Sequence, residues 1–428
     1  MDADKTDPLR HIAHKNFNLL WSGQSMSLFG NQFLVIGLPL LAVQVVGASA
    51  AQAVLLPFMM FIPFLLFGLP AGALVDRLPK RKTMVVADLV QMLVYSCIAI
   101  LSIKGLMTFP ALMALVFVAG TATVFFQVAY TSFLPEIYSG ASELQKGNAK
   151  LFFSESVART LGPVAAGPLI AVFAPPIAIL LNGGSFLVSA LTLGAIRNVD
   201  TALDLTRSVP VRTSIVADIK TGLKFVFSHP KLEPVFLCGA VYVLFLTFIE
   251  TSLVLYCKDV LALSPSAIGL VIGAAAAGFP VANLISSRLM NDFGISRTLV
   301  MAAATSVSGL FLIAVFGASG SIAGLIAASV LHGLGEGVFG PTSLTLRQTV
   351  TPLSLLGRVN SVQRFMIWGA IPLGSVLTSL TIKYVGIDWT LWFGGVGTVL
   401  CLLPLIRRGI LTDLRKPDST LRPDITQS

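Results

Sequence analysis

Residues 72–82 read Gly-Ala-Leu-Val-Asp-Arg-Leu-Pro-Lys-Arg-Lys and stand between two long apolar runs, at about 51–74 and 84–103. Loops on the cytoplasmic side of a membrane commonly collect basic residues. That rule accounts for the closing basic cluster, but not for Gly72 and Asp76 at this spacing. Glycine admits close helix approach, an acid can sit against a positive helix N-terminus, and basic residues bind acids and lipid headgroups. The stretch therefore indicates a structured connection between two membrane spans.

The composition of the whole chain indicates the same environment. Of 428 residues, 55% are hydrophobic and only 11% are charged, whereas soluble domains carry about 25% charged residues. Lipid must therefore cover most of the surface. The net charge of +9 does not indicate nucleic-acid binding, because no soluble basic domain is present to hold it. We expect no nucleic-acid partner.

Long apolar runs predict twelve membrane-spanning helices, since a span needs about 20 residues. The runs lie at about 17–45, 51–74, 84–103, 109–134, 149–173, 176–196, 234–257, 266–288, 298–317, 321–346, 360–382 and 388–406. The predicted fold class is an all-α membrane protein.

The distribution of Lys and Arg predicts the orientation. With both termini in the cytoplasm, 24 of the 29 basic residues fall in cytoplasmic segments, three fall outside and two fall within spans. Basic residues are retained on the cytoplasmic side during insertion. We therefore expect both termini to be cytoplasmic.

A polar connection divides the spans into six and six. The predicted organisation is a cytoplasmic N-terminus (1–16), a six-helix half (17–196), a linker (197–231), a second six-helix half (232–406) and a cytoplasmic tail (407–428).

Within the linker, apolar residues recur at helical spacing. Ile215, Ile219, Leu223 and Val226 would share one face, which predicts an amphipathic helix along the inner leaflet. A disordered linker is the alternative.

An internal repeat relates the two halves. At an offset of 212 residues, Leu144, Lys146, Asn148, Gly162 and Val164 align with Leu356, Arg358, Asn360, Gly374 and Val376. A repeat of six spans gives both halves the same orientation, related by a pseudo-two-fold axis along the membrane normal. This arrangement predicts a substrate cavity between the halves.

Two motifs carry a family resemblance. Residues 72–82 resemble the GxxxDRxGRR signature of the major facilitator superfamily, with Pro79 replacing the usual glycine. Residues 162–167 are similar to the GPxxGG motif of its antiporters, here Gly162, Pro163 and Gly167 with Ala166 in place of a glycine.

Further stretches narrow the resemblance. Residues 134–149, 222–230 and 351–361 resemble the secretion-effector branch, which includes siderophore exporters and macrolide efflux proteins. The resemblance implies a major facilitator fold of two pseudo-symmetric six-helix halves in a bacterial inner membrane. It also implies export of an amphipathic small molecule by alternating access, with protons as a second partner and lipids around a monomer. An importer of a small nutrient and a non-transporting sensor or scaffold are the alternatives.

The resemblance also implies a conformational switch. The acid of the signature would lie near the N-terminus of span 11, with Arg77 or Arg81 reaching Glu136. The switch set is Gly72, Asp76, Arg77, Lys80, Arg81 and Glu136. One departure matters: the fourth span holds no arginine, so the superfamily's arginine-based proton coupling does not carry over.

An ionisable residue inside a membrane span indicates a structural or functional role, because inserting its charge into the bilayer costs about 2.5–3.5 kcal/mol. Seven qualify: Asp88, Glu155, Arg159, Glu250, His332, Glu336 and Arg364. By resemblance, spans 1, 4, 7 and 10 line the cavity. They hold Glu250, His332 and Glu336, and the polar residues Gln24, Asn31, Gln32, Gln127 and Tyr242.

Two pairs of these ionisable residues are spaced four apart. His332 and Glu336 therefore lie on one helix face. Either Glu336 or Glu250 could carry a coupling proton; the alternative is that both carboxylates only make structural hydrogen bonds. Glu155 and Arg159 are also four apart, which predicts an ion pair.

Two further groups, Asp88 and Arg364, lie near the cytoplasmic ends of their spans. We expect both to reach the interface.

Other motifs are rejected. Residues 335–340 fit GxGxxG but follow no strand, so they indicate helix packing. The chain has no phosphate loop, no further ligands for a metal beside His332, and no catalytic set with family spacing. We expect a transporter without metal or cofactor, and not an enzyme.

Overall fold

The computed structural model describes residues 8–75, 78–138, 141–196 and 215–407. Within these ranges the chain forms helices and no strand. The helices are α1 (Pro8–Gln44), α2 (Ala50–Ala53), α3 (Leu56–Val75), α4 (Lys80–Ile103), α5 (Phe109–Ile137), α6 (Ala141–Phe173), α7 (Pro175–Ala195), α8 (Ile215–Ser228), α9 (Leu232–Asp259), α10 (Pro265–Phe293), α11 (Ile295–Ala318), α12 (Ile322–Val350), α13 (Leu353–Tyr384), α14 (Asp388–Val399) and α15 (Leu402–Arg407).

Twelve segments of the described chain are long and apolar enough to cross a membrane, which confirms the predicted number of spans. They run Ile12–Gln44, Ala50–Gly68, Lys80–Ile103, Phe109–Ile137, Lys146–Phe173, Pro175–Ala195, Leu232–Asp259, Pro265–Ala282, Ile295–Ala318, Ile322–Val350, Leu355–Tyr384 and Asp388–Ile406.

The helices differ from the predicted spans mainly at their ends. α4 begins at Lys80 rather than near residue 84, and α12 continues to Val350 rather than ending near 346. Long basic side chains can lie along a helix end and still reach the aqueous interface, so the helix continues past the apolar run. The last span is two helices, with a break at Leu400 and Cys401.

The helix surfaces carry large apolar side chains outward. Val172, Leu191 and Leu284 are 73%, 64% and 80% exposed, a pattern suited to lipid and not to water. Hydroxyls in the spans are largely satisfied within their own helix. Thr247 and Thr342 each donate to the carbonyl four residues earlier, at 2.7 Å, so they add little polarity to the surface.

The first of two structural units comprises Met1–Thr213 together with Leu263–Gly269. Here α1 packs on α6 and α7, and α4 packs on α5 and α7. Its core includes Phe17, Met84 and Phe133.

The second unit comprises Ser214–Ala262 and Leu270–Ser428. α11 packs on α12, and α9 packs on α13 and α14. A core along α9 and α11 includes Val235, Leu299 and Val307.

The linker helix α8 belongs to this second unit. Val226 is fully buried and packs with Val359 and Val362 of α13. At the Val226 end of α8, the apolar face that is predicted to lie on the inner leaflet contacts α13 instead. A Cβ on Gly222 would lie 3.0 Å from the Arg358 carbonyl oxygen, so the absence of a side chain there lets α8 approach α13. The side chains of Ile215 and Ile219 lie outside the described residues.

Candidate functional site

The signature loop is partly described. Gly72 lies in the last turns of α3, whereas Asp76 and Arg77 lie outside the described residues. At the start of α4, the Lys80 ammonium lies 2.5 Å from the Glu136 carboxylate of α5. The prediction is that Arg77 or Arg81 reaches Glu136. The Arg81 guanidinium donates to the carbonyl of Ile196, and Arg77 lies outside the described residues, so its contact with Glu136 stays a prediction. Lys80 and Arg81 can have different partners because consecutive helical residues point about 100° apart.

The antiporter-like motif of α6 is a packing surface in the first unit. The Cβ position of Gly162 is filled by the side chain of Gln32 on α1. A Cβ on Gly167 would meet the Pro265 carbonyl at 2.5 Å, and one on Gly269 would collide with the Pro163 carbonyl. The motif's glycines therefore allow α6 to touch α1 on one side and the first turns of α10 on the other.

Glu155 and Arg159 form the predicted ion pair at 3.3 Å on α6. The pair is predicted to be internal, but the two side chains are 40% and 50% exposed.

A polar and aromatic group, not anticipated from the sequence, lies beside this pair. Trp21 Nε1 donates to Ser154 Oγ at 2.9 Å, and the Lys150 ammonium stands 5.3 Å from the Trp21 ring centre.

The polar cavity candidates of the first unit lie on two helices, α1 and α5. Gln24, Asn31 and Gln32 share a face of α1 by helical spacing and are partly buried. The side-chain Oε1 of Gln24 has no hydrogen-bond partner among the described residues. Gln127 on α5 is exposed.

In the second unit, four side chains from three helices meet. His332 is 5% exposed, and its Nδ1 lies 2.9 Å from Ser306 Oγ and 3.2 Å from Tyr242 Oη. The two hydroxyls lie 2.7 Å apart. On the other side of the ring, Nε2 lies 3.3 Å from the Glu336 carboxylate, whose side chain is 33% exposed. The ring thus joins a buried hydroxyl pair to a carboxylate that is partly open.

Close helix packing brings these groups together. The Cβ position of Gly335 is occupied by the Ser306 backbone, and a Cβ on Gly309 would lie 2.7 Å from the His332 Cα. Gly337 fits in the same way against Phe279 of α10. Two glycines of the rejected GxGxxG match on α12, Gly335 and Gly337, are therefore packing residues, whereas a Cβ on Gly340 would meet nothing within 4 Å.

Glu250 is placed apart from this cluster along α9. It follows Tyr242 by about two turns and is exposed. The structure thus brings together Tyr242, His332 and Glu336 of the predicted residues, and adds Ser306.

The structure places Asp88 and Arg347 differently from the sequence prediction. Asp88 is expected at the interface, but it is fully buried. The covering helix is α7, which places Ser189 beside it. Arg347 lies one residue beyond the predicted span 321–346. It is within α12, is 7% exposed, and its Nε and Nη1 have no hydrogen-bond partner among the described residues.

Arg364 was also expected to reach the interface. It is exposed on α13, and its guanidinium lies 5.7 Å from the Trp368 ring centre. Within the described ranges, no three His, Cys, Asp or Glu side chains come close enough to hold a metal ion.

Comparison with solved structures supports the fold. A bacterial homologue of the iron transporter ferroportin, in its inward-facing state, superposes with a TM-score of 0.72 at 16% identity, covering 91% of this chain and 98% of that one. At this identity the likeness shows the fold alone.

Sequence relatives cover almost the whole chain. Macrolide efflux protein A of Streptococcus pyogenes is 22% identical over 413 residues, which are 94% of this chain and 97% of the relative. The multidrug efflux pump Tap of Mycolicibacterium fortuitum is 25% identical over 407 residues, 92% of this chain and 95% of the relative. The profile of the family described as "Transmembrane secretion effector" matches residues 6–421. The chain therefore belongs to the transmembrane secretion effector family, a branch of the major facilitator superfamily of membrane transporters, and is not an enzyme.

Proposed function

We propose that this transporter exports amphipathic small molecules from the cytoplasm and that protons drive the export. The observation that carries the direction is the full-length similarity to Macrolide efflux protein A and the pump Tap.

An ion gradient is the energy source that the sequence permits. The chain has no GxxxxGK[ST] phosphate loop, so ATP does not drive it directly. A proton carrier needs an ionisable group that is shielded in one state and reached by water in another. The His332–Glu336 pair suits this role, because the histidine is buried while the carboxylate is partly open.

The hydroxyl pair gives the histidine a defined task. With Nδ1 held by Ser306 and Tyr242, Nε2 is the nitrogen that faces Glu336. A proton can then pass between Nε2 and the carboxylate without rotation of the ring. Glu250, further along α9, is the second carboxylate that we propose to exchange protons with the aqueous side.

The decisive experiment uses purified protein in liposomes with an imposed pH gradient. Glu336→Gln and Glu250→Gln should abolish gradient-driven transport of a radiolabelled macrolide while leaving exchange transport largely intact. Asp259→Asn on α9 is the matched control, since that carboxylate pairs with the neighbouring Lys258. Full gradient-driven transport in the double variant Glu250→Gln/Glu336→Gln would show that these carboxylates do not couple protons to transport. Loss of exchange transport as well would indicate that they bind the cargo.

We place the protein in the bacterial inner membrane with both termini in the cytoplasm, on the strength of the Lys and Arg distribution. Reporter fusions at Asp200 and Ser428 should both signal cytoplasm. A periplasmic signal from either would contradict this orientation.

The signature loop is proposed as the conformational switch. The Lys80–Glu136 pair joins α4 to α5, and Asp76 would meet the positive N-terminus of span 11 when the cytoplasmic side is closed. Asp76→Asn should lower the transport rate and raise cytoplasmic accessibility to a thiol reagent without loss of folding. If the rate and the accessibility were both unchanged, the loop would have no switching role.

A further inference from the structure

An open groove in the first unit lies outside the proposed transport site. It lies between α3 and α4, with α5 as its floor, and has a volume of about 640 Å³. That volume is in the range of sites for drug-sized molecules or lipid chains. Every helix that forms it belongs to the same unit.

The groove walls are almost entirely apolar. Phe67 of α3 and Phe117 of α5 meet edge to face, with ring centroids 6.2 Å apart. Val86 of α4 and Val118 of α5 also line the groove and are 59% and 42% exposed. Because these helices span the membrane, the medium at this opening is lipid, so the walls suit a hydrocarbon chain.

One end of the groove carries a cation. Lys82 lines the groove within the first turn of α4 and is exposed. Its two basic neighbours are engaged, Lys80 with Glu136 and Arg81 with the Ile196 carbonyl. Lys82 makes no ion pair with any described residue. An apolar channel that ends at an exposed ammonium group, without an ion pair among the described residues, matches an amphipathic anion with a long tail.

We propose that this groove holds an acyl chain of an anionic phospholipid whose phosphate lies on Lys82. Charge complementarity favours this occupant over a zwitterionic lipid or a cationic cargo, since an ammonium group at the mouth attracts an anion. The first turn of α4 also carries Lys80, so the bound lipid would lie beside the Lys80–Glu136 contact of the signature loop.

The test uses the full-length purified protein, delipidated in detergent and examined by native mass spectrometry. Phosphatidylglycerol and phosphatidylethanolamine with identical acyl chains are added separately. The wild type should retain phosphatidylglycerol preferentially. Lys82→Gln should weaken that retention about fivefold, the effect of one basic residue beside an anionic headgroup. Val118→Trp should weaken retention of both lipids about tenfold or more, because the indole fills the space of several methylenes.

Matched controls keep the test specific. Lys146→Gln removes an exposed lysine elsewhere in the unit, and Leu93→Trp adds an indole to an exposed position of α4 outside the groove. Neither control should change retention. Should Val118→Trp fail to fold, Val86→Trp fills the same groove from α4.

Three results would overturn the proposal. Equal retention of the two lipids by the wild type would show that the groove does not select an anionic headgroup. An effect of Lys146→Gln as large as that of Lys82→Gln would indicate diffuse attraction. Displacement of the lipid by a macrolide would make the groove a cargo site. None of these results depends on proton coupling, so the groove and the proposed function stand or fall separately.

Discussion

Ser306 on α11 lies 2.9 Å from His332 Nδ1 on α12, and the two residues are 26 positions apart in the chain. The contact exists because Gly309 and Gly335 let the two helix backbones approach. Tyr242 of α9 completes the group from a third helix. The imidazole of His332 on α12 therefore links α11 and α9 through one ring nitrogen.

The first prediction concerns this hydroxyl pair. Ser306→Ala and Tyr242→Phe each leave the other hydroxyl beside Nδ1, so each variant should lose about 1 kcal/mol of stability. The double variant should lose more than the sum, because it leaves a buried ring nitrogen without a partner. Nitrogen NMR of labelled histidine should then show mixed tautomers, and gradient-driven transport should fall. Additive losses with an unchanged histidine spectrum would mean that the hydroxyls do not hold the ring.

The second prediction compares two glycines on α12. A Cβ on Gly333 would collide with the Ala275 carbonyl oxygen of α10, whereas a Cβ on Gly340 would meet nothing within 4 Å. Gly333→Ala should therefore cost about 1–3 kcal/mol through overpacking. Gly340→Ala should be neutral or stabilise by up to about 1 kcal/mol through helix propensity. Thermal unfolding in detergent measures both, and equal midpoints for the two variants would contradict the packing.

The third prediction concerns Asp88, which is fully buried beside Ser189 of α7. Holding a carboxylate charge in such a place is costly, so a neutral amide that keeps a polar group beside Ser189 should be tolerated. Asp88→Asn should keep the thermal midpoint and the transport rate close to those of the wild type. Asp88→Leu should lower both, since a branched apolar group replaces a flat polar one beside Ser189. A large loss in the Asn variant alone would show that the acid itself is required.

The fourth prediction concerns pH and the junction between α8 and α9. His229 Nδ1 accepts a hydrogen bond from the Lys231 amide at 3.3 Å, and burial together with Lys231 lowers the pKa of His229 below its ordinary 6.5. Above about pH 6.5 the ring is neutral in both folded and unfolded states, so its contribution is constant. As the pH falls below that value, the unfolded junction binds a proton that the folded one resists, and the junction loses stability.

Amide hydrogen exchange at this junction measures whether its stability falls as the pH is lowered. After correction for intrinsic rates, protection should fall on acidification between about pH 8 and pH 5. His229→Asn keeps an acceptor but does not titrate, so its protection should stay constant over the same range. Constant protection in the wild type would contradict the assignment.

The sequence was sufficient for the twelve spans, because a span is set by a long apolar run. It was less accurate at helix ends such as Lys80 and Val350, where the backbone continues through polar residues that reach the interface. Pairs within one helix, Glu155 with Arg159 and His332 with Glu336, were predictable from their spacing of four.

Contacts between helices were not predictable in the same way. Ser306 joins His332 from α11, and α7 buries Asp88 although that residue lies near a helix end. Which face of a helix is covered depends on its neighbours, and a single sequence does not record them. The Lys80–Glu136 contact was not anticipated for the same reason, since neighbouring basic residues differ only in direction around α4.

The inclusion of Leu263–Gly269 in the first unit has a consequence for biosynthesis. The ribosome makes the chain from the N-terminus, so α6 is complete before the turns that cover Gly167 have been synthesised. Until Pro265 and Gly269 arrive, the small-residue face of α6 has no partner from its own chain at those positions. The helices of the first unit are thus synthesised before all the residues that pack in that unit are available. A chain interrupted near residue 262 would leave the small-residue face of α6 open to contact with a helix of another protein in the membrane.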